Sequence, residues 1–459
     1  MEHNNQFGTP PQKLDFELDT KRPVLCDLNT RFKVSGEFQV GKKAAGSDVV
    51  TWERCAVTDS ADVILAPCWW EILIRNIENF HSNYFLKTHD IPFNSDSHLN
   101  QFVYWAMDST LKKSLCFEPC HPGNACSDKK GDWSLADNSA WREYTKTVFT
   151  ETQIHFHWFP LFLFPYHQSP NHMYNDRPPR CLPINYAGKL LTRFALKDNW
   201  DCIFKKKAGV VHKYRFVLNA MDLVAEEARL TTAVEKRLYA SSSKLLYFPG
   251  VTKIARYETV NEGSFIFQSK FESIPMPESV LIFALPKSVQ GDNYQFETHD
   301  LAQPFFIQHN IKHVSLNYGG LNFSLREPDF GSVRDDTLDA KTLFDYVKYG
   351  PFGLFLNHSR LTKANIGNGF ENTDFPHIFL NLAPSAPRRS RLVPLLAPDS
   401  LLNQDHDFCV TVKCGTGGVA QNAHYVIYCL YTDVNMTLDL KEKKFHNPVF
   451  PKYSSTTKN

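Results

Sequence analysis

The sequence lacks any apolar run long enough to cross a membrane as a helix. Its longest, Trp158 to Tyr166 (WFPLFLFPY), is about half that length and is broken by Pro160 and Pro165. It lacks net charge: 50 basic residues face 49 acidic ones, giving +1, so no global field condenses it on nucleic acid or anionic lipid. The first twelve residues, MEHNNQFGTPPQ, lack the apolar core of a secretory leader. The eleven cysteines, an odd number spread from Cys26 to Cys429, therefore fit reduced, mostly buried thiols better than a disulfide framework. The sequons at Asn322, Asn357 and Asn435 then carry no meaning. Catalytic signatures are missing too, with neither a G-x-S-x-G elbow nor an H-E-x-x-H pair. These absences favour a structural or binding protein over an enzyme.

What the chain does have is aromatic and β-forming. Phe (36), Tyr (18) and Pro (27) are abundant, and long stretches of good helix formers are rare, which predicts an all-β protein. At 459 residues it exceeds the roughly 250 to 300 at which one core stops growing, so two domains are expected. In RFKVSGEFQV, Phe32, Val34, Phe38 and Val40 share one face while Arg31, Lys33 and Glu37 share the other. Further strand-like runs begin at residues 62, 153, 189, 214, 264, 279, 313, 377, 407 and 424. Helical spacing appears twice, in the segments 97 to 113 and 337 to 349.

Landmarks recur in order. The two helices answer each other, Phe159-Pro160 answers Phe375-Pro376, and Tyr214 with Asp222 answers Tyr425 with Asp433. The expected organisation is an N-terminal arm (1–30), a first β domain (31–235), a second (245–445) and a C-terminal tail (446–459). The first copy is longer between helix and Phe-Pro, which marks residues 114–150 as a surface loop insertion.

That insertion holds CFEPCHPGNAC, where Cys116, Cys120, His121 and Cys126 offer zinc-type ligands. Adjacent Cys120 and His121 rarely both ligate, and Cys181 could complete the set only through the fold, so a thiol-containing loop is the plainer reading. GEFQVGKK (36 to 43) matches a phosphate loop in form only, since Phe38 and Val40 continue a strand and Lys43, not Ser or Thr, follows the motif's Lys42. Gln404-Asp405-His406-Asp407 reads as a polar turn before a strand rather than a metal site, and Lys205 to Lys207 and Arg388-Arg389 with Arg391 as solvated turns. His155, His157 and Trp158 fall on both faces of one strand and do not converge on a ligand. Trp69-Trp70 is a core or subunit-interface anchor. No cofactor is expected.

The runs 182 to 207 (LPINYAGKLLTRFALKDNWDCIFKKK), 214 to 230 (YRFVLNAMDLVAEEARL) and 272 to 291 (ESIPMPESVLIFALPKSVQG), then HDFCVTV and HYVIYCLYTDVNM, resemble the major capsid (hexon-type) proteins of Polinton or Maverick elements and adintoviruses. The resemblance implies a double jelly-roll: two eight-stranded antiparallel sandwiches with a short helix in each half and long loops. It further implies a homotrimeric capsomer of pseudo-sixfold outline, tiling an icosahedral shell around double-stranded DNA. Neighbouring capsomers and penton or minor capsid proteins would be partners, with only weak contact to packaged DNA and no membrane span. Such a protein would reside in the virion after assembly in the host nucleus or cytoplasm. The family brings no catalytic residues, and the Cys-rich insertion has no counterpart in it. A penton-type minor capsid protein and a jelly-roll ligand- or metal-binding protein are the alternatives.

Overall fold

The computed structural model describes residues 13–25, 31–43, 46, 48–66, 69–81, 84–90, 139–158, 181–182, 188–240, 245–259, 266–286, 311–326, 377–382, 403–414, 423–439, 441–442 and 444–450. The expected helices at 97 to 113 and 337 to 349, and Cys116, Cys120, His121 and Cys126, lie outside them.

In chain order the first half contains β1 (Lys13–Leu18), β2 (Val24–Leu25), β3 (Arg31–Lys43), β4 (Val50–Arg54), β5 (Val63–Leu65), α1 (Trp69–Ile72), β6 (Ile74–His81) and β7 (Tyr84–Asp90). It continues with α2 (Ser139–Thr150), β8 (Ile154–Trp158), β9 (Cys181–Leu182), β10 (Leu190–Leu196), β11 (Phe204–Lys206) and β12 (Lys213–Val224). After α3 (Thr232–Ala240), the second half contains β13 (Leu245–Thr259), β14 (Ile266–Ile274), β15 (Ser279–Pro286), β16 (Ile311–Tyr318) and β17 (Leu321–Arg326). It ends with β18 (His377–Asn381), β19 (His406–Cys414), β20 (Ala423–Asp439) and β21 (Lys444–Val449).

The second half is wound by one rule. Its sheets run β13-β20-β15-β18 and β14-β19-β16-β17. Counting β13 to β20 as positions one to eight, one pairs with eight, two with seven, three with six and four with five, all antiparallel. Two further pairings, three with eight and four with seven, join these ladders into two sheets. The result is a long hairpin wrapped round a core.

The first half follows the same rule. β1 pairs with β10 (two with seven), β3 with β8 (three with six) and β6 with β7 (four with five). β12 joins β3 and β10 joins β6, repeating the two closing contacts. Position one has no strand among the described residues, none of which pairs with the far edge of β12. Around this frame sit the hairpin strand β4 and two short ladders, β5 with β11 and β2 with β9.

Periodicity explains the strands. In β1 (KLDFEL), Leu14, Phe16 and Leu18 are buried while Lys13, Asp15 and Glu17 face outward, and β10 (LLTRFAL) buries every second residue from Leu190 to Leu196. The two faces meet through aromatic rings: Phe32 lies 4.9 Å from Phe194 and 5.1 Å from Phe16, both edge to face. In the second half Phe267 of β14 lies 4.9 Å from Tyr425 of β20. Gly36 is required by close approach, because a Cβ there would come within 2.3 Å of both Phe216 Cζ and the Val217 carbonyl oxygen. Gly319 and Gly320, both with positive φ, make the two-residue turn that splits 313 to 323, expected as one strand, into β16 and β17.

Three expectations need correction. The N-terminal arm expected over 1–30 contains a ladder strand, Lys13–Leu18, because its alternating Leu and Phe residues bury a face. The tail expected from 446 begins inside β21, which pairs with β20. The loop insertion 114–150 ends in helix α2, whose Val148 and Phe149 are buried and whose Thr145 Oγ1 accepts the Leu65 amide at 3.0 Å. The repeat holds at one landmark and fails at another. Tyr214 and Tyr425 both open strand eight and are buried, as the repeat requires. The Phe-Pro pairs do not correspond: Phe159 follows strand six in the first half, whereas Pro376 precedes it in the second.

Candidate functional site

The sequence predicts no acidic, basic and nucleophilic trio, and the informative features are a sealed aromatic core and a strand edge with no partner among the described residues. Trp69 and Trp70 on α1 are both fully buried. Trp69 packs 4.7 Å from Phe216, tilted, and 5.0 Å from Phe38, edge to face, and Trp70 lies 6.0 Å from Phe156. They are core residues of this chain, with no surface left to meet a partner, so the interface-anchor reading of Trp69 and Trp70 is set aside. α1 also carries the buried Glu71, whose Oε1 accepts the Trp158 Nε1–H at 2.7 Å. A second buried polar contact joins Thr192 Oγ1 to Asn79 Oδ1 at 2.9 Å, across the β10–β6 ladder. Neither polar contact was foreseen, because partners 87 and 113 residues apart leave no local signal.

His155 and His157 share the outward face of β8, opposite Trp158. Arg31 Nε donates to His157 Nδ1 at 3.1 Å, and burial, then Arg31 and Lys33, hold that imidazole below its ordinary pKa. It is a neutral acceptor in a structural contact. GEFQVGKK is strand β3 throughout, which leaves no loop to cradle a phosphate. Lys205 and Lys206 belong to β11, and Lys206 pairs with Asp201 at 3.0 Å, so that run is part of a ladder. Arg388, Arg389 and Arg391 lie outside the described residues.

At the start of β19, Asp407 accepts from Lys270 Nζ at 2.8 Å and from the Ser273 amide at 3.1 Å. The Lys270 bond, then the Ser273 amide, hold its carboxyl below the ordinary value. Its neighbour His406 is packed edge to face on Tyr318 at 5.3 Å. Tyr318 in turn donates to the Gln404 carbonyl at 2.6 Å. The polar turn expected at 404–407 therefore stops at Asp405, and His406 and Asp407 are the first residues of β19.

Asp439, Glu442 and His446 bring potential ligand atoms within 4.8 Å of one another at the β20–β21 turn. Asp439 Oδ1 already accepts the amides of Lys441 and Glu442, which accounts for the grouping as turn chemistry. Burial raises the thiols of Cys55, Cys414, Cys429 and Cys202, the last to about 11, so at neutral pH they are protonated core groups. Among the described residues no helix is long and apolar enough to cross a membrane.

A sandwich whose eight strands pair one to eight, two to seven, three to six and four to five is a jelly-roll, and this chain is a double jelly-roll protein. No protein-family model matches it, and no curated protein matches it in sequence. Solved structures do. A chain of the Sputnik virophage, known by cryo-EM, superposes with a TM-score of 0.53 at 10% identity, covering 98% of this chain and 88% of that one. The mavirus major capsid protein gives 0.48 at 11% identity, over 98% of this chain and 89% of that one. VP54 of the virus PBCV-1, fitted into a reconstruction of Sputnik, gives 0.46 at 9% identity, over 95% and 92%.

Proposed function

We propose that this chain is a structural capsid protein: a major capsid protein whose homotrimers form capsomers of pseudo-sixfold outline in an icosahedral shell. The observation that carries the reading is the winding rule repeated twice in one chain, together with the fold shared with a Sputnik virophage chain over 98% of the sequence. Two similar blocks per chain, in threes, give six similar blocks, which tile a hexagonal lattice while closed threefold symmetry fixes the particle. A penton-type component with one jelly-roll per chain is disfavoured by the second sandwich. The division into domains near residues 31–235 and 245–445, the likeness to Polinton or adintovirus capsid proteins, and slight contact with packaged double-stranded DNA belong to the same reading.

Sedimentation of the purified full chain tests it. A stable species of three chains, held by obligate interfaces of about 2,000 Å² or more, is the expected result. A chain that stays monomeric across the accessible concentration range overturns it.

A further inference from the structure

The winding rule leaves one place unfilled. In the second half, β13 occupies position one along the outer edge of β20; in the first half nothing among the described residues lies along the equivalent edge of β12. A bare edge presents a row of unmet amide and carbonyl groups, a template for another strand. The twelve residues preceding Lys13 offer only Met1 and Phe7 as large apolar side chains, with Pro10 and Pro11 next to the strand. That is a poor sequence for burying a strand face.

β12 is instead complementary to itself. Its bulge between Leu218 and Ala220 shifts the alternation by one residue: Tyr214, Phe216 and Leu218 face inward before it, and Met221 after it. Laid antiparallel against a second β12, with the centre between Leu218 and Asn219, Tyr214 meets Leu223 and Phe216 meets Met221, so inner faces meet on both sides of the bulge. Arg215 then meets Asp222. Both are half-buried on the outward face, and neither has an ion pair among the described residues. Among the described residues Arg215 donates to the neutral Gln39 Oε1, at 2.8 and 3.0 Å, and lies 4.0 Å over the Trp52 ring. Opposite charges directly across a strand pair stabilise it, and a two-fold axis makes the contact twice.

We propose that β12 is a docking edge for β12 of a second copy, paired antiparallel across a two-fold axis. The contact needs neither a trimer nor a shell, so it stands or falls apart from the capsid reading.

Hydrogen exchange and sedimentation velocity of the full chain, each over a concentration series, test it together. The amides of residues 213 to 224 are expected to gain protection as concentration rises and pairs form. Arg215→Asp and Asp222→Arg each set like charges opposite one another and should weaken pairing about tenfold, and the combined swap should restore it. Protection of 213 to 224 that is independent of concentration would mean that a segment of the same chain fills position one, which overturns the proposal. So would pairing that ignores the charge swaps, or edge amides that exchange freely at every concentration. The wild-type exchange series decides the matter even if a variant fails to fold.

Discussion

The indole N–H of Trp158 points at the Glu71 carboxylate, 2.7 Å away, with both residues sealed from solvent. This bond ties strand six of the first sandwich to the short helix that carries Trp69 and Trp70. Glu71→Ala leaves a buried donor without its acceptor and is expected to cost about 3 kcal/mol. Glu71→Gln keeps an acceptor and should cost less. Denaturant unfolding midpoints of the two variants check the order.

Gly36 and Gly209 separate two kinds of glycine. An alanine methyl at 36 collides with the Val217 carbonyl, which is backbone and cannot swing away, so Gly36→Ala should cost about 3 kcal/mol or more. Gly209 sits at φ +87° in open space, so Gly209→Ala should cost only about 1 to 2 kcal/mol of left-handed strain. Thermal unfolding of the pair would show the gap, and equal costs would contradict the packing described for β3 and β12.

Trp69 distinguishes core from interface. Trp69→Ala should cost about 3 to 5 kcal/mol, as large buried truncations do. Trp69→Phe keeps an aromatic ring against Phe216 and should cost less while leaving the native mass of the assembly unchanged. A drop in oligomer size for a folded Trp69→Phe would return this residue to the subunit interface.

Asp407 gives a pH signature. Its folded pKa is depressed by Lys270 and the Ser273 amide, so its stabilising contribution is present above the ordinary aspartate value, about 3.9, and fades as pH falls through the lower folded value. Because the group is exposed, the effect is modest. Melting temperature measured on the acid limb should fall less steeply for Asp407→Asn than for the parent.

Much of the frame was legible in the chain. Nearly every run with strict alternation became a strand, from Phe32 and Val34 in β3 to Val410 and Val412 in β19, because a half-buried ladder needs period two. The longest strand outside the expected runs is β13, which carries Pro249 and Gly250 in its interior. Pro249 is tolerated because β13 is an edge strand, and the bulge after Gly250 absorbs the irregularity. Helix α2 was missed because Thr145, Thr147 and Val148 are indifferent helix formers, and the helix is held by what it packs on.

By itself the sequence determined the all-β class, the doubling of the fold and the absence of a membrane-spanning run, since these follow from local periodicity, composition and order along the chain. Only the tertiary structure decided that Trp69 and Trp70 are core residues, that Glu71 meets Trp158, and that no strand among the described residues pairs with the far edge of β12. Those depend on which strands lie side by side, and partners such as Tyr214 and Val40, 174 residues apart, are chosen by closing the sandwich rather than by any local signal.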